Sequence, residues 1–192
     1  MKNLLGLVRD FLDLRSSELV DPFISGLSWN FNQRNINPVT TTAALKWLPE
    51  CLAHAGNAEK SLVNAIVDRS AQLQWRSPYN EEDLGADIAT GLTTVELVGP
   101  QGHFASDEVR FGFYLQGAGL DYPAHWHIAK ELYIPLTSHS LWSKDGSEHV
   151  LRESGEIIIH QSNQHHAMIT DVAPLLAIWF WRGGDLWQKP DF

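Results

Sequence analysis

Cysteine is nearly absent: Cys51 is the single thiol in 192 residues. That excludes an internal disulfide and the zinc frameworks built on paired cysteines. Long apolar runs are missing too, and none approaches the roughly 20 residues that cross a bilayer. The opening apolar stretch is interrupted by Arg9 and Asp10 and has no small-residue cleavage site, so it is a poor secretion signal. Positive charge is scarce. Fourteen Lys and Arg stand against 23 Asp and Glu, a formal net charge of −9, with no basic cluster. Nucleic-acid binders need such clusters, so that partner class is excluded. The expectation is a cytoplasmic protein with no membrane and no nucleic-acid partner.

What is present divides the chain in two. Leu4, Leu5, Val8, Phe11 and Leu12 recur at helical spacing, which predicts an amphipathic first helix. Pro22 and Gly26 mark a break. Thr40, Thr41 and Thr42 can cap a second helix through Ala43, Leu45, Trp47 and Leu48, kinked or divided by Pro49. A third helix is expected from Ala58 to Leu73. The stretch Tyr79–Gly91, with Glu81, Glu82, Asp83 and Asp87, reads as a solvated polar connector.

From Thr93 the period changes to two. Thr93–Val98, Val109–Leu115, His125–Leu136, Ser140–Trp142, Glu156–His160, Ala167–Thr170 and Leu175–Trp181 read as short strands, separated by turns such as Asp145-Gly146 and Gly183-Gly184. Many short strands at even spacing predict a sandwich or small barrel. The expected architecture is mainly β: a helical extension over residues 1–90 packed on a β-barrel over residues 91–192.

Chemistry concentrates between Asp121 and Leu136. If the run after Pro123 is one strand, His125, His127, Ala129, Glu131 and Tyr133 share a face, and Trp126, Ile128, Leu132, Ile134 and Leu136 share the other. Imidazoles and a carboxylate on one buried face are costly unless something satisfies them, and a divalent transition metal does so. Zn, Fe, Mn, Co and Ni all suit such a donor set. A further ligand should come from a second strand, where His160, His165 and His166 are the candidates. His54, His103, His139 and His149 fall in helix or turn regions and are expected at the surface.

These residues resemble the cupin superfamily. Gly119, His125, His127 and Glu131 fall on its first motif, Gly-x5-His-x-His-x3-Glu-x6-Gly, with Ser138 where the last Gly would stand. Gly155 and His166 match the second motif, while Gln161, Asn163 and Thr170 replace its Pro, Gly and Asn. The resemblance implies a single cupin-type β-barrel (a double-stranded β-helix or jelly roll) with metal bound by His125, His127, Glu131 and His166. His165 is the rival for the last place, because the substituted turn can shift by one residue.

Tyr133 two residues after Glu131, Tyr122 three before His125, and the run Pro174–Leu186 resemble the cupin-type dimethylsulfoniopropionate lyases. That resemblance implies β-elimination of a small zwitterionic sulfonium substrate to dimethyl sulfide and acrylate. A metal on the substrate carboxylate would stabilise charge developing beside it. Tyr133 is then the expected general base and Tyr122 a second catalytic candidate. Aromatic faces suit the sulfonium group, and Trp179 and Trp181 are its expected binding residues, with Phe111 and Phe113 as further possible walls. Two other readings stand beside this one. The same ligands suit a cupin Fe(II) dioxygenase acting on a small organic acid or thiol, and a non-catalytic cupin could sense or store a small acid.

Overall fold

The computed structural model describes residues 1–38 and 42–192. The first amphipathic stretch forms α1 (Lys2–Asp13), with Leu4, Leu5, Val8, Phe11 and Leu12 buried. After a break comes α2 (Asp21–Ile24), which takes Pro22 into its first turn, where the missing N–H has no intrahelical partner to lose. Pro49 divides the expected second helix into a 3-10 turn, Ala43–Trp47, and α3 (Cys51–His54). Thr42 flanks that turn without a side-chain capping bond, and Thr40 and Thr41 lie outside the described residues. The third stretch forms α4 (Lys60–Asp68), followed by the 3-10 turn Ser70–Gln72.

The connector expected between Tyr79 and Gly91 is instead mostly helical, as α5 (Glu81–Gly91). Asn80 accepts from the Asp83 N–H while the Asp83 carboxylate accepts from the Asn80 N–H, a reciprocal capping box. The acids Glu81, Glu82 and Asp83 occupy the first turn, where negative charge complements the exposed N–H groups. Leu84 and Gly85 break the helical geometry, Gly85 with φ of 82°.

In chain order the strands are β1 (Asn32–Gln33), β2 (Trp75–Arg76), β3 (Leu92–Gly99), β4 (Phe104–Ala105), β5 (Val109–Gln116), β6 (Leu120–His125), β7 (Lys130–Pro135), β8 (Ser140–Lys144), β9 (Val150–Arg152), β10 (Ile158–His160), β11 (His166–Thr170) and β12 (Leu175–Arg182). An eight-stranded sheet runs β1-β4-β3-β5-β12-β7-β10, with β2 added on β3; a four-stranded sheet runs β6-β11-β8-β9.

Period-two alternation gives the larger sheet two buried faces. Phe111, Phe113, Leu132, Ile134, Ile178 and Phe180 share a core with Leu4, Val8, Leu62 and Ile66 of the helices. Their neighbours Tyr114, Tyr133, Trp179 and Trp181 point the other way, into a second cluster with Leu120, Tyr122, Trp142 and Met168 from the smaller sheet. The fold is mainly β and cupin-type, preceded by an N-terminal helical segment. Phe111 and Phe113 therefore belong to the helix-facing core, where Phe111 stacks on Phe180 at 4.5 Å, and do not line the inner cavity.

One expected strand is two. β6 ends at His125 in the smaller sheet, and β7 begins at Lys130 in the larger. Residues 126–129 carry the chain from one sheet to the other. Trp126 and Ile128, expected on a packed face, are half-buried and exposed respectively.

Candidate metal centre and active site

The crossing brings together groups that simple alternation would have spread along a strand. His166 on β11 is the register partner of His125 on β6. Glu131 on β7 lies between His160 on β10 and Trp181 on β12. The ligand atoms of His127, Glu131 and His166 all lie within 4.8 Å of one another, and all three residues are buried. His125 is packed against this group, its ring 4.1 Å from that of His166.

Backbone carbonyls set the histidine tautomers. A carbonyl oxygen can only accept, so the Nδ1 atoms of His125, His127 and His166 donate to Pro123, Ala129 and Gln164 oxygens, each at 2.9 Å. Each Nε2 is left facing inward and free to bind metal once deprotonated; in the metal-free protein the His127 Nε2 donates to the Glu131 carboxylate. The His127 and His166 Nε2 atoms lie 3.0 and 3.1 Å from Glu131 Oε2. The His166 atom, despite that distance, has no hydrogen bond of acceptable geometry and is fully buried. An orphaned buried nitrogen beside a carboxylate is what a ligand to a shared ion leaves when the ion is taken away. The donor set fits a divalent transition metal.

Electrostatics agree. Burial would raise the Glu131 carboxyl, but His127, His160 and His166 hold it well below the usual carboxylate range. Burial works against the charged His127 ring, yet Glu131 raises it overall. Burial and then His166 push His125 well down, and push His160 down to about 3. A neutral His125 and an ionised Glu131 are the protonation states a cation needs, and a cation on Glu131 would release the extra proton of His127.

His165, the rival fourth ligand, is exposed, its backbone N–H bonded to Asp145 at 3.2 Å. His160 lies fully buried, its ring stacked 3.8 Å from that of His166 and its Nδ1 3.5 Å from Glu131. His103, expected at the surface, is buried, and its Nε2 accepts from the Gln74 N–H at 3.0 Å.

A cavity of about 310 Å³ opens onto His125 and Glu131 and is lined by Tyr122, Tyr133, Trp179 and Trp181. These four of the aromatic residues singled out in sequence meet there, whereas Phe111 and Phe113 do not. Burial, then the negative Glu131, keeps the Tyr133 phenol protonated in the metal-free protein. Trp181 donates its indole N–H to Glu131 Oε1 at 2.6 Å, and Trp179 donates to the Phe113 carbonyl at 3.2 Å. Arg110 stands over both indole rings, at 5.3 and 5.5 Å, tied to Glu96 at 2.9 Å.

Sequence reasoning missed Tyr79, Tyr114 and Arg110, which also line the cavity. The Tyr79 and Tyr122 hydroxyls are 2.5 Å apart. The capping box that starts α5 was visible in the sequence and would have placed Tyr79 on an ordered approach to a helix.

Residues 17–177 match the family described as dimethylsulfoniopropionate lyase. The chain belongs to that family. Within it, the chain is 33% identical over 133 residues to dimethylsulfoniopropionate lyase DddQ of Ruegeria pomeroyi, covering 69% of this chain and 66% of that protein. A putative dimethylsulfoniopropionate lyase DddL of Cereibacter sphaeroides is 25% identical over 130 residues, 67% of this chain and 53% of its own length. The matches thus span about half to two thirds of these curated relatives. The crystal structure of DddQ from Ruegeria pomeroyi superposes with a TM-score of 0.86 at 27% identity, covering 98% of this chain and 93% of its own. A chain from the crystal structures of the lyases RdDddP and RnDddQII gives 0.87 at 28%, covering 98% and 94%. The family's fold was therefore correctly anticipated from the His-x-His-x3-Glu-x-Tyr run. Among the described residues, no helix is long and apolar enough to cross a membrane.

Proposed function

We propose that the protein is a metal-dependent carbon–sulfur lyase that cleaves dimethylsulfoniopropionate to dimethyl sulfide and acrylate. The observation that carries this reading is the pair of backbone-anchored histidines His127 and His166 beside Glu131, with backbone-anchored His125 packed against them, at a cavity lined by His125, Glu131 and Tyr133. Those four would hold one divalent transition metal, which when bound supplies Lewis-acid stabilisation to the substrate carboxylate.

The chain's own residues supply the proton chemistry and the pocket. Tyr133 takes the proton from the carbon beside the carboxylate. The electron pair of that C–H bond becomes the new C=C bond, and the C–S pair leaves on sulfur as neutral dimethyl sulfide, which needs no protonation. Burial and Glu131 hold Tyr133 protonated without metal, and a nearby cation works in the opposite direction. Tyr122 orients the substrate, its hydroxyl fixed by Tyr79. Arg110 already occupies faces of Trp179 and Trp181, so Tyr114 and Tyr122 are the faces we assign to the sulfonium methyls, with the tryptophans as supporting wall. We further assign residues 1–90 as a helical extension packed on the barrel of residues 91–192.

The test is headspace detection of dimethyl sulfide from metal-loaded protein. Tyr133→Phe should retain metal and lose about 10²–10⁴-fold in rate, the usual worth of a positioned base. Parent-like turnover by that variant would remove Tyr133 from the mechanism. Turnover under strict anaerobiosis separates this reading from a ferrous dioxygenase with the same ligands.

A further inference from the structure

The segment after β12 turns back across the cavity mouth. Gly183 and Gly184 take φ of 75° and 70°, and a Cβ on Gly184 would lie 2.9 Å from the Ala129 nitrogen. The chain therefore passes directly against the 126–129 crossing. Trp126 and Asp191 exchange backbone bonds, each N–H donating to the other's carbonyl at 2.9 Å. The Ile128 N–H donates to Gln188 Oε1 at 2.8 Å, and Gln188 Nε2 donates to Asp191 Oδ2 at 3.2 Å. The Asn163 N–H also donates to the His127 carbonyl, at 2.8 Å.

The crossing has no sheet partner of its own, yet it sits between His125 on one sheet and Glu131 on the other and carries His127 itself. Its backbone is held by the segment that also walls the cavity through Trp187, Gln188, Lys189 and Pro190. Phe192 rests its ring 5.8 Å from that of His125 and 5.6 Å from that of Tyr79.

We propose that Gln188 and Asp191 are positioning residues that clamp the 126–129 crossing and so hold the His127 and His125 imidazoles in register for metal. The inference rests on the reading of those histidines as ligands. An unclamped loop must order itself when metal arrives, and that ordering lowers affinity without touching any ligand atom. The clamp acts on metal retention first and on turnover only through it.

Competition for Zn(II) against a chromophoric chelator tests this on the full chain, alongside hydrogen exchange at the Trp126 and Ile128 amides. Gln188→Ala, and Gln188→Ala combined with Asp191→Pro to delete a clamping N–H, should weaken Zn(II) binding by about tenfold, the low end for groups supporting metal ligands. Both amides should exchange faster, with β5 and β12 unchanged. Gln188→Glu combined with Asp191→Asn keeps an oxygen acceptor for the Ile128 N–H and reverses, without losing, the side-chain bond between positions 188 and 191, and should retain parental affinity. Unchanged affinity and exchange in Gln188→Ala with Asp191→Pro would overturn the clamp, as would equal weakening by Gln188→Ala and by Gln188→Glu with Asp191→Asn. Parent protein that fails to bind Zn(II) would instead remove the proposed function, and the exchange rates alone would then decide the clamp.

Discussion

Trp181 separates two roles that look alike in the sequence. As an aromatic face it would serve the substrate; in the structure its indole N–H is committed to Glu131 Oε1 at 2.6 Å, both residues being buried at the cavity wall. Trp181→Phe keeps a ring beside His127, now 4.2 Å from the indole, and removes that donor. A hydrogen bond to a buried charged group contributes about 1.5–3 kcal/mol. Losing it frees the carboxylate to rotate away from the imidazoles, and at about 1.4 kcal/mol per tenfold that is roughly ten- to a hundredfold in metal dissociation constant. Chelator competition reads the metal constant, and initial rates at saturating metal read kcat and KM for dimethylsulfoniopropionate. The expected result is weaker metal binding, with a KM near the parent's once metal is saturating. A metal constant within twofold of the parent, joined to a tenfold rise in KM, would refute the reasoning and make Trp181 a substrate wall.

The second-motif histidines separate cleanly. His166→Ala should lose metal on dialysis, by elemental analysis, while His165→Ala, an exposed residue outside the cluster, should retain it. Acid should weaken the metal-free protein, measured as the urea midpoint in a chelator. His103, His125 and His160 have lowered pKa values from burial, so the unfolded chain takes up protons that the folded one refuses. Stability is present above the ordinary histidine value of about 6.5 and lost below it, by about 1.4 kcal/mol each at pH 5.5 for His125 and His160, which are pushed furthest down. Burial works against the charged His127 ring but Glu131 raises it overall, so it runs the other way and offsets part of this loss. A midpoint that rises on acidification would contradict this sign.

The parts legible in sequence were those governed by local periodicity. The apolar stripe of α1 and the alternation of β5 and β12 follow from one residue's relation to the next few, and the structure has them close to where the pattern placed them. The His-x-His-x3-Glu spacing also pointed to residues that the structure brings together, though through the wrong geometry. An unbroken strand would have used alternation, whereas the chain leaves one sheet and enters another between His125 and Lys130. Nothing in the local pattern marks that departure, because the bonds that replace the ladder come from Gln188, Asp191 and Asn163, some 35 to 65 residues away by the numbering. Tyr79 and Arg110 were missed for the same reason: each reaches the cavity only by long-range closure. Helix α5 was a different failure, since acids at a helix start were read as solvated charge when Asn80 and Asp83 already formed a capping pair.

Placing the proposed ligands on both layers has a mechanical result. His125 and His166 arrive with the smaller sheet and Glu131 with the larger, so neither half presents a usable pocket before the two have docked. A cation in the middle would then act as a rivet, favouring the closed sandwich over any arrangement in which the layers have parted.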